Sequence, residues 1–223
     1  MFIAHINRLI RITVTAESAN DGAPRLTYVA DPMCSWCFAF GPELATIIEE
    51  TGLVPDLVMG GLFVGPNALR LDRQLRSYLD ETWDRVSAAC GRPIDRRHLE
   101  RSDWVYDTEP SCRAVVAVRR MDPDVALPFF SRLQQAFYVD GVDLANPDEV
   151  ASLATTFGLD ELGARRALAD PEICAEDFGW ARSRGIGGFP TLVLHRDGEA
   201  IVVSAGYRRA APVLRTIKTL LGG

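Results

Sequence analysis

The chain has 223 residues, 48% of them apolar and 24% charged, with a formal net charge of -6. This balance suits one globular domain with a full core, or a small domain carrying an insertion, and it excludes a disordered chain. The negative charge argues against nucleic acid or an anionic membrane as a partner, and the five cysteines are too few for a disulfide-stapled scaffold of this length.

The first dozen residues are apolar but interrupted by His5, Asn7, Arg8 and Arg11, so they lack the unbroken core of a secretory signal. No run of about 18 apolar residues marks a membrane span, and the expectation is a cytoplasmic protein. Ile10, Ile12 and Val14 alternate as in a strand, whereas Ile3, Ile6, Leu9 and Ile10 would suit a helix face. The polar stretch 16–24, with Asn20-Asp21-Gly22, reads as a linker, so 1–25 is an extension of open structure.

Residues 26–30 form the first predicted strand. A helix follows over 34–51, closed by Gly52 and kinked by Pro42. A second strand at 54–59 returns parallel to the first, which makes a right-handed crossover unit. The spacing then predicts helices over 68–86, 110–121, 125–139, 147–157, 161–169 and 171–184. Strands at 191–195 and 200–204 flank Asp197-Gly198, a hairpin signal, and an amphipathic helix over 210–221 ends the chain.

The chemistry concentrates at Asp31-Pro32-Met33-Cys34-Ser35-Trp36-Cys37, between the first strand and the first helix. Cys34 falls at a helix N-terminus, where unpaired N–H groups and the positive end of the dipole favour a thiolate, the nucleophilic form. Cys37 lies one turn further on, close enough to close a disulfide and reopen it. A zinc site is the rival for such a pair, but Cys90, Cys112 and Cys174 are scattered singly and His5, His98 and His195 make no H-x-x-x-H. Two inert buried cysteines are the bland alternative. A redox dithiol is the reading carried forward, with no metal.

A second signal lies far away. Gly187-Gly188-Phe189-Pro190-Thr191 is Gly-rich backbone ending in an X-Pro at a strand start, where a cis peptide is expected. Together with D-P-M-C-S-W-C at 31–37, Pro42, and D-T-E-P-S-C-R-A at 107–114, it makes the chain resemble the DsbA-like thioredoxin-fold family, in particular its FrnE-like group of protein-disulfide isomerases. The resemblance runs from about residue 25 to the C-terminus. It implies an α/β thioredoxin fold, β-α-β then β-β-α, with an all-helical domain inserted between the second and third strands. The fold domain would comprise 26–65 and 186–223, and the insertion 66–185.

The resemblance also implies roles. Cys34 attacks, Cys37 resolves, and Pro190 forms a cis-proline loop against the two sulfurs; Trp36, Phe189 and Thr191 are the substrate-binding candidates. Substrates would be proteins or low-molecular-weight thiols and disulfides, glutathione among them, with no bound cofactor. Many relatives place a buried acid six residues before the first cysteine, and here that position is Tyr28. Asp31 could act as a base instead, though a turn or cap role beside Pro32 is favoured. Cys112 reads as a small buried helix residue before it reads as a second reactive thiol. Two rivals stand beside this reading. One is a glutathione-dependent enzyme resembling kappa-class transferases and 2-hydroxychromene-2-carboxylate isomerases, which typically carry serine where Cys34 stands. The other is a non-enzymatic binding module whose dithiol senses redox state.

Overall fold

The computed structural model describes residues 10–12 and 23–222. The linker expected at 16–24 and the helix-like face at Ile3, Ile6 and Leu9 therefore lie largely outside the described residues. Five strands make the central sheet: β1 (Ile10–Ile12), β2 (Arg25–Ala30), β3 (Asp56–Met59), β6 (Thr191–Arg196) and β7 (Glu199–Ala205), in the order β1-β7-β6-β2-β3. A two-stranded ribbon, β4 (Leu69–Arg70) with β5 (Val105–Tyr106), lies outside that sheet. Among the described residues eight α-helices surround the sheet: α1 (Ser35–Thr51), α2 (Arg73–Cys90), α3 (Glu109–Met121), α4 (Ala126–Gln135), α5 (Pro147–Thr155), α6 (Glu161–Ala169), α7 (Ala175–Ser183) and α8 (Ala210–Leu221). This is the thioredoxin arrangement, with β2 and β3 parallel and the other pairs antiparallel. The strand alternative for residues 10–12 is the one adopted, at the sheet edge beside β7. Among the described residues no helix is long and apolar enough to cross a membrane.

Strand β2 is buried on both faces, which explains its unbroken apolar run. Leu26, Tyr28 and Ala30 point into the large core shared with α1 and α8, while Val29 points to a smaller core with Val193, Ala181 and Ile186. Strand β3 is a sheet edge, and its backbone is covered rather than left open. Asp177 of α7 accepts from Met59 N at 2.7 Å and pairs with Arg119 of α3, whose guanidinium also donates to Leu57 O. An edge closed in this way offers no free ladder to a second chain.

The segment expected to be a helix from residue 68 begins differently. Ala68 to Leu71 carry apolar residues at helix-compatible spacing, yet Leu69 and Arg70 pair with Tyr106 and Val105. The helix starts only after Asp72, whose carboxylate caps it by accepting from Leu75 N at 2.7 Å. The insertion is thus helical apart from this ribbon. Helix α4 ends in a π-helical turn, Ala136–Asp140, that brings Ala136, Phe137 and Tyr138 all into the core.

Pro42 sits inside α1 and cannot donate to the Phe38 carbonyl four residues back. Arg92 takes that carbonyl at 3.0 Å and stacks its guanidinium over the Phe38 ring, 3.6 Å from the centroid. Loss of this group should leave Phe38 O unpaired in a half-buried site. Arg92→Leu is expected to cost about 1–3 kcal/mol in denaturant unfolding, and an unchanged midpoint would show that the carbonyl is otherwise satisfied.

A buried aromatic stack joins His98, Trp104, Tyr106 and Phe137, with His98 centroids 5.3 Å from Trp104 and 4.6 Å from Phe137. Neither ring nitrogen of His98 has a hydrogen-bond partner among the described residues. Burial holds the folded imidazole below its ordinary value, although Asp143 and Asp95 pull the other way. The unfolded chain therefore takes a proton at His98 below about pH 6.5, where the folded chain resists it. That stability is fully present above about pH 6.5 and is lost as the pH falls through the window beneath it. Unfolding curves of wild type and His98→Phe between about pH 5 and 7.5 should diverge, with the variant the less sensitive to acid; parallel curves would refute the assignment.

Candidate functional site

Cys34 is the N-cap of α1, in extended conformation, and Cys37 lies in the first turn. The turn before them is fixed by Asp31: its carbonyl accepts from Cys34 N at 3.1 Å and its Oδ1 from Met33 N at 2.9 Å. Both cysteines are free thiols within hydrogen-bond reach of one another. Cys34 keeps 5% of its surface exposed and Cys37 none. Burial first, and then the adjacent Cys34 sulfur, hold the Cys37 thiol well above its ordinary value. Among the described residues no group of three or more His, Cys, Asp and Glu converges as metal ligands would.

The Phe189–Pro190 peptide is cis, and this loop lies directly against the first sulfur. Cys34 Sγ donates to Phe189 O at 3.6 Å. Pro190 is buried, and its carbonyl accepts from Gly206 N at 2.7 Å, which ties the loop to the end of β7. The Phe189 ring packs over Gly60, where any side chain would overlap it. Gly61, with φ of 69°, makes the same allowance for the ring of Phe178. Thr191 is buried and donates locally to Gly188 O at 2.8 Å, closing the loop. The half-buried Trp36 ring packs on Tyr207 of the β7–α8 connection, 5.7 Å between centroids. A shallow cavity of about 240 Å³ runs beside the exposed Gly187-Gly188 backbone, lined also by Val202 and Gly206.

Beneath the turn, Asp31 is fully buried. Its Oδ2 accepts from Leu62 N at 2.7 Å, Thr108 Oγ1 at 2.7 Å and Cys112 Sγ at 3.5 Å. Burial holds its carboxyl above the ordinary carboxylate range, and these donors oppose the rise. The hydroxyls of Tyr106 and Tyr138 both donate to the Met33 carbonyl. Asp31 does hold its turn, but it also reaches across to β3 and the insertion, a role that its place beside Pro32 does not reveal. Cys112 lies under the active turn with its thiol engaged by Asp31, and burial keeps that thiol well above its ordinary value. Cys174 caps α7, pushed up to about 12 by burial, and Cys90 ends α2 half-buried.

Sequence reasoning missed Gly60, Thr108, Tyr106 and Tyr138. Thr108 lies inside the D-T-E-P-S-C-R-A stretch, so its presence was visible although its bond was not. Nothing in the local pattern marks the two tyrosines.

No family model matches the chain, and no curated protein matches it. Solved structures do. A candidate protein disulfide isomerase from Nitrosomonas europaea superposes with a TM-score of 0.79 at 31% identity, over 89% of this chain and 98% of that one. The cytosolic disulfide reductase DsbM from Pseudomonas aeruginosa gives 0.72 at 28% identity, over 89% and 98%. A DsbA-type oxidoreductase from Streptomyces coelicolor, at 17% identity and 0.67 over 90% and 91%, shares the fold. With the cysteine pair at the head of α1, these likenesses place the chain in the DsbA-like, thioredoxin-fold family of thiol–disulfide oxidoreductases.

Proposed function

We propose that this chain is a disulfide reductase that works with glutathione in a reducing compartment such as the cytosol. Cys34 is the attacking thiol, the more exposed of the two, and Cys37 is the resolving thiol beneath it. The observation that carries the direction is the contact between Cys34 Sγ and the Phe189 carbonyl. A carbonyl oxygen accepts from a thiol and offers nothing to a thiolate. Strong oxidants of this chemistry stabilise their reduced, thiolate form. Here the second thiol is buried and its ionisation opposed, so Cys37 adds no thiolate stabilisation to the reduced pair. The DsbM relative is a cytosolic disulfide reductase whose structure with GSH superposes on this chain at 25% identity with a TM-score of 0.71; both facts support the same setting and co-substrate.

Substrates would be extended peptide segments or small disulfides lying along the Gly187-Gly188 backbone. Trp36 supplies an apolar rim, while Phe189 and Thr191 shape the loop. In the first step the Cys34 thiolate bonds to one substrate sulfur and the other leaves as a thiol. In the second, Cys37 bonds to Cys34 and releases the rest of the substrate, leaving a Cys34–Cys37 disulfide for glutathione to reduce.

The reduction potential in glutathione buffers should lie below about -200 mV, nearer thioredoxin than the strong oxidants. A value close to about -120 mV would make the protein an oxidase instead. Roles separate in single variants: Cys37→Ser should accumulate mixed disulfides with glutathione or client proteins, and Cys34→Ser should lose turnover with little trapped adduct. Equal trapping by both would sink the assignment. Gly60→Ala should displace the Phe189 ring and with it the carbonyl beside Cys34, lowering turnover about tenfold or more; full activity in a folded Gly60→Ala variant would show that the ring does not position the loop.

A further inference from the structure

Tyr28 lies within β2, paired with Leu57 on one side and Leu192 on the other. Its ring meets those of Phe40 and Phe130, each at 5.9 Å between centroids. Phe40 stands one turn past Cys37 on the same face of α1, so the phenol is in register with the second thiol. Its hydroxyl is buried and has no hydrogen-bond partner among the described residues, sulfur included, while both thiols are protonated. Of the ionisable groups around it, Cys37 weighs most on the phenol, ahead of Cys34. A buried O–H without a partner is uncommon in native cores, and phenylalanine would fill the same space, so the oxygen calls for a role.

We propose that Tyr28 is a positioning residue for the resolving step, its hydroxyl donating a hydrogen bond to the Cys37 sulfur as that sulfur gains negative charge in its attack on the Cys34 mixed disulfide. This rests on Cys37 being the resolving thiol. In the step the Cys37–Cys34 bond forms and the bond from Cys34 to the substrate sulfur breaks. The electron pair leaves on the substrate sulfur, and the Cys37 proton ends on that departing thiol.

Tyr28 keeps its own proton throughout. Burial first, then the charges of Cys37 and Cys34, hold its phenol well above the ordinary range, so it resists ionisation. The other groups facing Cys37 cannot replace it. Cys34 is bonded to substrate at this stage. The Asp31 carboxylate opposes negative charge on the sulfur, although the backbone of Asp31 favours it. The hydroxyls of Tyr106 and Tyr138 are occupied by Met33 O. Because Cys37 has no exposed surface, bulk water does not solvate the charge.

Tyr28→Phe removes one oxygen and leaves the ring packing in place. In the Cys34→Ser background, the thiolate absorbance attributable to Cys37 should titrate about one pH unit higher once Tyr28 is Phe. In the protein with both cysteines, release of glutathione from the Cys34 mixed disulfide should slow about tenfold, while the alkylation rate of Cys34 and the thermal midpoint stay unchanged. Ring-fluorinated tyrosine placed at position 28, a stronger donor, should move the Cys37 titration the opposite way, which a purely structural role would not do. Unmoved titration and release rates in Tyr28→Phe, with Cys37→Ser still trapping adducts, overturn the proposal alone. Failure of Cys37→Ser to trap adducts removes Cys37 from the reaction and the proposal with it.

Discussion

The active turn depends on one buried carboxylate. Asp31 takes donors from its own turn (Met33 N), from the exit of β3 (Leu62 N) and from the start of α3 (Thr108 Oγ1 and Cys112 Sγ). A carboxylate without water is costly unless its oxygens are satisfied, so the three segments must arrive together for the charge to be tolerated. That requirement fixes where Cys34 sits. Its backbone N–H bonds the Asp31 carbonyl, and the Met33 carbonyl between them is held by two tyrosines of the inserted segment. The loop carrying the chemistry is therefore set by groups far along the chain, and mobility there would cost several coupled bonds at once.

The same economy governs the other wall of the site. The cis-proline loop is held by Gly206 N on one side and by the seat of the Phe189 ring over Gly60 on the other. Gly60 follows β3, so the strand whose edge is closed by Asp177 and Arg119 also carries the seat for the loop. Sheet, insertion and loop thus converge on two sulfurs that differ in exposure.

The sequence made the local parts of this legible. Strand β2, helix α1 with its αL Gly52, the hairpin at Asp197-Gly198 and helix α8 all follow from periodicity and turn chemistry acting within a few residues. Parts decided by tertiary contact were not legible. Leu69 and Leu71 fit a helix face, but Leu69 pairs with Tyr106 in the ribbon, Leu71 N bonds Trp104 O just beyond it, and the Asp72 cap then sets the true start. Pro42 announces a missing hydrogen bond, yet only the fold brings Arg92 to the vacated carbonyl. At Asp31 the local bond to Met33 N was readable from the turn. The bonds to Leu62 N and Thr108 span 31 and 77 residues, and no local pattern could show them.

Burial also separates the two thiols in kind. Cys34 keeps the exposed surface of the pair, at the N-terminal end of a helix whose first turn carries no acidic side chain. Cys37 sits in an apolar pocket where its charged form is disfavoured, so it stays a thiol until a sulfur beside it becomes electrophilic. In the order of steps proposed above, that sulfur arises only when Cys34 is already joined to substrate. A thiol kept neutral in this way and given the proposed resolving role does not compete for substrate, and it does not need to be basic in solution. It needs stabilisation only during the instant of its own attack, which must come from a dipole already in place within the core, because rearranging buried groups at that moment would add to the barrier.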